Sequence, residues 1–154
     1  MTKMNAIGIA LGVVCAFVAS SLWYSPLLFG KQFLELSGVV TAPKPTGITI
    51  AGEILRNLLL ASVIVWLLAH RQMIKLKSVV VFGVILWFGF PVTLLSGSVM
   101  WQNVPFELAL IHSGDWLVKI LLLTLIPWVV STNVEPQSGL LRQEEVTDRT
   151  LHRN

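Results

Sequence analysis

A chain of 154 residues that is 55% apolar, with a mean hydropathy of +0.77, is too hydrophobic for a soluble domain of its size, so the composition indicates an integral membrane protein. The net charge of +3 comes with no basic stripe interleaved with aromatics, which gives no reason to expect nucleic acid as a partner. The single cysteine, Cys15, excludes a disulfide framework and a multi-cysteine metal site, and inside an apolar run it is expected to serve as a small packing residue.

Four apolar runs, residues 6–29, 48–69, 78–100 and 106–130, are each long enough to cross a hydrocarbon core that needs about 20 residues at 1.5 Å apiece. The expected fold is all-α, an integral membrane bundle of four transmembrane helices in one domain over residues 1–131, with a polar tail over 132–154. The first run stays apolar through Leu22, Trp23, Leu27, Leu28 and Phe29, longer than a cleaved signal core, and is expected to be kept as a span. Lys3, the group Arg71, Lys75 and Lys77, and the tail residues Arg142, Arg149 and Arg153 fall on one side, against Lys31 and Lys44 on the other, which predicts that both termini are cytoplasmic.

In the first run Gly8, Gly12, Ala16 and Ser20 recur at four-residue spacing, a small-residue face that lets a second backbone approach closely. That backbone belongs either to another helix of the chain or to a second copy. The run ends in Trp23, Tyr24, Ser25, Pro26, Leu27, Leu28, Phe29, Gly30 and Lys31. Trp and Tyr suit a membrane interface, Pro26 disturbs the last turns, Gly30 is expected to cap the helix and Lys31 to sit near its negative end. The order of these nine residues resembles the hallmark of the domain of unknown function 1761 family, bacterial membrane proteins of about this length with four spans. Trp87-Phe88-Gly89-Phe90 in the third run, and Gly114, Trp116, Leu117 and Val118 in the fourth, fit the same pattern. Asp115 departs from it, standing where an aromatic is expected in many relatives. The resemblance implies a multi-pass protein of a bacterial cytoplasmic (inner) membrane and carries no activity over to this chain.

Residues 32–47 hold Pro43, Lys44 and Pro45 with few other charges, but Phe33, Leu34, Leu36, Val39 and Val40 make the first half too apolar for a solvated linker. It reads as an interfacial helix folded over the bundle mouth. In the second run Glu53, Arg56 and Asn57 are three and four residues apart and share one helical face; His112, Asp115 and Lys119 do the same in the fourth. Counting from the ends of the runs puts Glu53 about 8 Å deep and Arg56 about 12 Å, with His112, Asp115 and Lys119 at about 9, 13 and 20 Å. About a dozen apolar residues worth roughly 0.3 to 0.6 kcal/mol each barely offset the roughly 5 to 7 kcal/mol of two unpaired central charges, so both stripes are expected to turn inward. The expected pairs are Arg56 with Asp115, and Glu53 with His112 or Lys119, in a nearly neutral network in the outer half of the bundle. Such a network either fixes helix register or forms a pocket. Thr93, Ser96 and Ser98 in the third run are expected to add polar groups at that depth, and Pro91 to permit a kink.

No phosphate loop, dinucleotide glycine motif, zinc-binding His-Glu-x-x-His or serine elbow occurs, so the sequence gives an enzyme no support, and neither cofactor nor metal is expected. The tail beyond residue 131 is mixed in charge and expected to be loose. Two readings remain. The first is a bundle in the lipid bilayer, expected to be a homo-oligomer because four short helices make a small core, that binds or passes a small polar or amphiphilic molecule at an outer-leaflet pocket. The second is an accessory, structural subunit of a larger membrane complex.

Overall fold

In α1, Lys3–Trp23, apolar residues lie on every face: Ile7, Leu11, Val14, Val18 and Leu22 are exposed while Val13 and Ala16 are buried. A helix apolar all round is one that satisfies both a protein interior and a lipid-like surface. The computed structural model describes residues 3–39, 45–71 and 75–151, with side chains for 6–39, 45–71 and 75–131. The side chain of Lys3, Pro43, Lys44 and the charged side chains of the tail lie outside that set. The remaining elements are α2 (Gly30–Ser37), α3 (Gly47–His70), α4 (Leu76–Trp87), a π-helical turn (Phe88–Val92), α5 (Thr93–Gln102) and α6 (Phe106–Leu151). Four stretches, Ala6–Trp23, Gly47–His70, Leu76–Gln102 and Phe106–Ser131, are long and apolar enough to cross a membrane.

The first helix ends at Trp23, six residues before the end of its apolar run, and Gly30 opens α2 instead of capping α1. Pro26 has no N–H to continue the ladder. Ser25 donates its hydroxyl to the Leu22 carbonyl and accepts from the Leu27 N–H, and the Phe29 and Gly30 N–H groups return to the Trp23 and Ser25 carbonyls, closing a tight turn. A Cβ at Gly30 would fall 2.5 Å from the Tyr24 carbonyl oxygen and 2.7 Å from Ser25 backbone atoms, so the turn admits only glycine there.

Thr46 and Thr49 form a reciprocal capping box that starts α3 at Gly47 and so sets the register of Glu53, Arg56 and Asn57. The π turn absorbs Pro91, whose missing N–H breaks the α ladder, and the Thr93 hydroxyl donates to the Gly89 and Phe90 carbonyls. Ser96 and Ser98 likewise donate to carbonyls of their own helix and, among the described residues, join no shared polar network. Asn103, left-handed at φ 55°, ends α5, and Pro105 precedes α6.

Helix α6 is the centre of the bundle, packed by α1, α3 and α4, with α3 also against α1. Its backbone continues as helix to Leu151, where a loose tail is the sequence expectation. A Cβ at Gly8 would lie 2.8 Å from Pro127 Cα, and one at Gly12 3.6 Å from Leu123 and Pro127. The small-residue face of α1 is thus filled by α6 of the same chain, and the two run antiparallel. Val13, Ala16, Ala61, Ile64, Leu68, Val79, Ile120 and Leu123 form the core. Cys15 is exposed and packs into none of it.

Candidate functional site

Where α1 ends and α3 and α6 begin, the charged stripes meet. Lys119, only 3% exposed at its side chain, places Nζ 3.0 Å from Glu53 Oε1 and 3.1 Å from Asp115 Oδ2, tying α3 to α6. Asp115 also accepts the Ser20 hydroxyl at 2.5 Å, which brings in α1. Glu53 accepts from Arg56 at 2.6 Å and from the Asn57 amide at 3.2 Å, both on its own helix. The Asn57 Oδ1 is buried with no hydrogen-bond partner among the described residues.

Of the pairs expected from the sequence, Glu53 with Lys119 is formed; Arg56 with Asp115 and Glu53 with His112 are not. Spacings of three and four residues already give each carboxylate a cation on its own helix, Glu53 with Arg56 and Asp115 with Lys119. Arg56 therefore stays half-exposed, 54% at the side chain, with its guanidinium 5.3 Å from the centre of the Trp116 ring. Lys119 lies 5.4 Å from the same ring. His112 turns to Tyr24, its Nδ1 2.7 Å from the phenol oxygen, and Phe33 of α2 meets both rings edge-on. The helix expected over the mouth does form, one turn earlier than its apolar residues suggest. Burial first, and the negative charge of Asp115 second, push the Tyr24 phenol up, so it keeps its proton.

These side chains border a cleft of about 510 Å³ whose walls include Tyr24, Phe33, Thr49, Arg56, His112 and Trp116. Away from the mouth, Val13, Ala61, Ile64 and Leu123 are 0 to 5% exposed and form an apolar layer behind the charges. The arrangement suits retention of a molecule at one end of the bundle better than its passage through. Of the nine motif residues only Tyr24 borders the cleft, while Pro26 and Lys31 face outward and Ser25 holds the turn.

Sequence reasoning missed the role of the tryptophans. Trp23 Nε1 donates to the Ile111 carbonyl at 3.0 Å and Trp87 Nε1 to the Ser113 carbonyl at 2.8 Å, so indoles from α1 and α4 grip α6 on the turn that carries His112 and Asp115. Gly114 makes room: a Cβ there would sit 2.6 Å from Trp23 Cζ2. A glycine beside a charged residue in a span was the available signal. A family model described as "Protein of unknown function (DUF1761)" matches residues 7–127, which takes in both walls of the cleft and the two tryptophans. No curated protein and no solved structure gives a significant match.

Proposed function

The chain belongs to the DUF1761 family, whose description assigns no activity, and from that premise we propose that it binds a small polar or amphiphilic molecule in the Arg56 cleft as a multi-pass protein of a bacterial cytoplasmic membrane. The observation that carries this reading is the unequal presentation of a balanced charge set. Two carboxylates and two cations cancel, yet Lys119 and Asp115 are 3% and 6% exposed at their side chains while Arg56 is 54% exposed on the cleft wall. A charge kept at a cavity wall with donors to spare is what a ligand pocket needs and a helix clamp does not. The cleft is assigned to the outer leaflet, with both termini cytoplasmic, because Arg71, Lys75 and Lys77 cluster at the opposite end, between α3 and α4.

An accessory subunit would dock through its charged network and the small-residue face of α1, and the second of these is taken, since Gly8 and Gly12 already pack on Pro127 within the chain. Purification separates the two readings: a self-associated particle favours the binding bundle, and stoichiometric co-purification with unrelated chains favours the subunit. The direct test is a thermal-shift panel of small polar and amphiphilic compounds on the purified chain with Arg56→Ala and Asp115→Asn. If those variants change melting alone and leave every ligand-dependent shift as in the parent, the network is a clamp.

A further inference from the structure

A second cleft, of about 390 Å³, lies between α3 and the α4–α5 rod, with α6 as its floor. Its walls, among them Leu60, Val63, Leu67, Phe90 and Leu94, are apolar throughout, and Val63, Phe90 and Leu94 are exposed at its rim, so it opens on the surface that faces lipid. Trp116 borders both cavities. Along α3 the residues Glu53, Arg56, Leu60, Val63 and Leu67 follow one another at three- and four-residue spacing, so one helical stripe passes from the charged cleft into the apolar one. From Arg56 to Leu67 that stripe covers about 16 Å.

We infer that the ligand is a single-chain amphiphile with an oxyanion head, phosphate or carboxylate, held at Arg56, its alkyl chain running past Trp116 into the cleft between α3 and α5. This rests on the binding reading above and names its ligand class. The head follows from the charges: Lys119 is held between two carboxylates, whereas Arg56 gives Glu53 one nitrogen and keeps the rest of its fork on the cleft wall. A planar guanidinium with open N–H donors matches the two oxygens of a phosphate or carboxylate. Tyr24 lines the same cleft, with its hydroxyl 2.7 Å from His112 Nδ1. The tail follows from the second cavity, an apolar cleft that begins one turn below the binding arginine on the same helical stripe and shares the Trp116 wall with the charged cleft. An alkyl chain gains little by moving from lipid into an apolar groove, so the head selects and the groove only accommodates.

The test uses the full chain in a neutral detergent with four probes: dodecyl phosphate, dodecanoate, dodecanol and inorganic phosphate. A photoreactive group at the chain end of dodecyl phosphate reports where the tail lies. The two anionic amphiphiles are expected to bind about ten- to a hundredfold more tightly than dodecanol, the range for a charge-assisted hydrogen bond. Arg56→Gln should reduce both to the level of dodecanol, and Arg56→Lys, which keeps the charge and loses the fork, should lose an intermediate part. The label should map to α3 near Leu60 and Leu67 or to α5 near Leu94, and Val63→Trp, which fills the groove from its exposed rim, should remove it from there. Inorganic phosphate binding as tightly as dodecyl phosphate would overturn the tail and leave a free-anion site. Dodecanol binding as tightly as the anions, or a normal response in both Arg56 variants, overturns the head. If none of the four probes binds while other compounds shift the melting point, the inference fails and the binding reading stands; if nothing shifts it, both fail.

Discussion

Lys119→Met tests the load carried by the network. Methionine keeps the length and apolar stem of lysine and removes only the ammonium. At 3.0 and 3.1 Å and an effective dielectric of about 20, each lost pair had a Coulomb energy of about 5 kcal/mol before the desolvation of its partners is subtracted. Glu53 keeps Arg56 and Asn57, but Asp115, 6% exposed at its side chain, is left with neutral hydroxyl partners such as Ser20 and no cation. The net loss expected for stranding one buried charge is about 3 to 5 kcal/mol. Reversible unfolding in mixed micelles measures it, run as a cycle with Asp115→Asn. The double variant should be more stable than Lys119→Met alone, because it removes the stranded carboxylate along with its cation. A Lys119→Met protein within about 0.5 kcal/mol of the parent, or a double variant whose loss equals the sum of the two singles, would refute the idea that the lysine is held by these carboxylates.

Gly114→Ala should cost about 1 to 3 kcal/mol in the same assay, since its methyl group must displace the Trp23 ring and with it the hydrogen bond to Ile111. Trp23→Phe, which loses the N–H and keeps most of the ring, is expected to cost about 1 kcal/mol, and a loss larger than that of Gly114→Ala would contradict this ranking. Gly8→Leu should part α1 from α6 and lower the melting point sharply, whereas Val14→Ala on the exposed face should leave it within about 0.5 kcal/mol of the parent. For orientation, in a Cys15→Ala background a cysteine at Lys75 should react with an impermeant maleimide only from the cytoplasmic side and one at Gln102 only from outside; the reverse pattern inverts the assignment of the cleft to the outer leaflet.

Much of the architecture was legible because apolar length is a one-dimensional property: a run of twenty apolar residues needs no neighbour to be recognised. Depth was legible for the same reason. A fixed rise per residue put Glu53 and Lys119 about 12 Å apart in depth, a little over two turns, and in the structure the lysine nitrogen meets the Glu53 carboxylate. Partner choice was not legible, because depth says nothing about rotation about the helix axis. Arg56 with Asp115 and Arg56 with Glu53 satisfy the same count, and Ser20 and Lys119 decide between them by occupying Asp115. The end of α1 was hidden for another reason. Leu27, Leu28 and Phe29 continue the apolar run, and only the backbone hydrogen bonds around Ser25 and Pro26 show that the helix has already stopped. Trp23 looked like an interface anchor because tryptophan is common at interfaces; its indole instead reaches the Ile111 carbonyl of a helix 88 residues away in sequence, over a glycine that leaves it room.

Whether the cluster is a clamp or a pocket turns on Arg56. Among the described residues the one ion pair that joins α3 to α6 is Lys119 with Glu53, while the pair of Lys119 with Asp115 lies within α6. Arg56 forms its ion pair within α3, so among the described residues removing it breaks no ion pair between helices, and it touches α6 through the Trp116 ring. An ion pair on an exposed helix face is worth about 0 to 1 kcal/mol and a cation over an exposed ring about 0.5 to 1 kcal/mol, so Arg56→Gln should cost at most about 2 kcal/mol. Glu53 keeps Lys119 in that variant and is not stranded. The comparison with Lys119→Met is therefore decisive: a clamp made of all four charges predicts similar losses for the two variants, and a clamp made by Lys119 with Arg56 left for a ligand predicts a gap of about 1 to 5 kcal/mol, taking the larger loss for the lysine. If Arg56→Gln unfolds the protein as readily as Lys119→Met, the exposed guanidinium is part of the framework and the cleft loses the group proposed to hold its ligand.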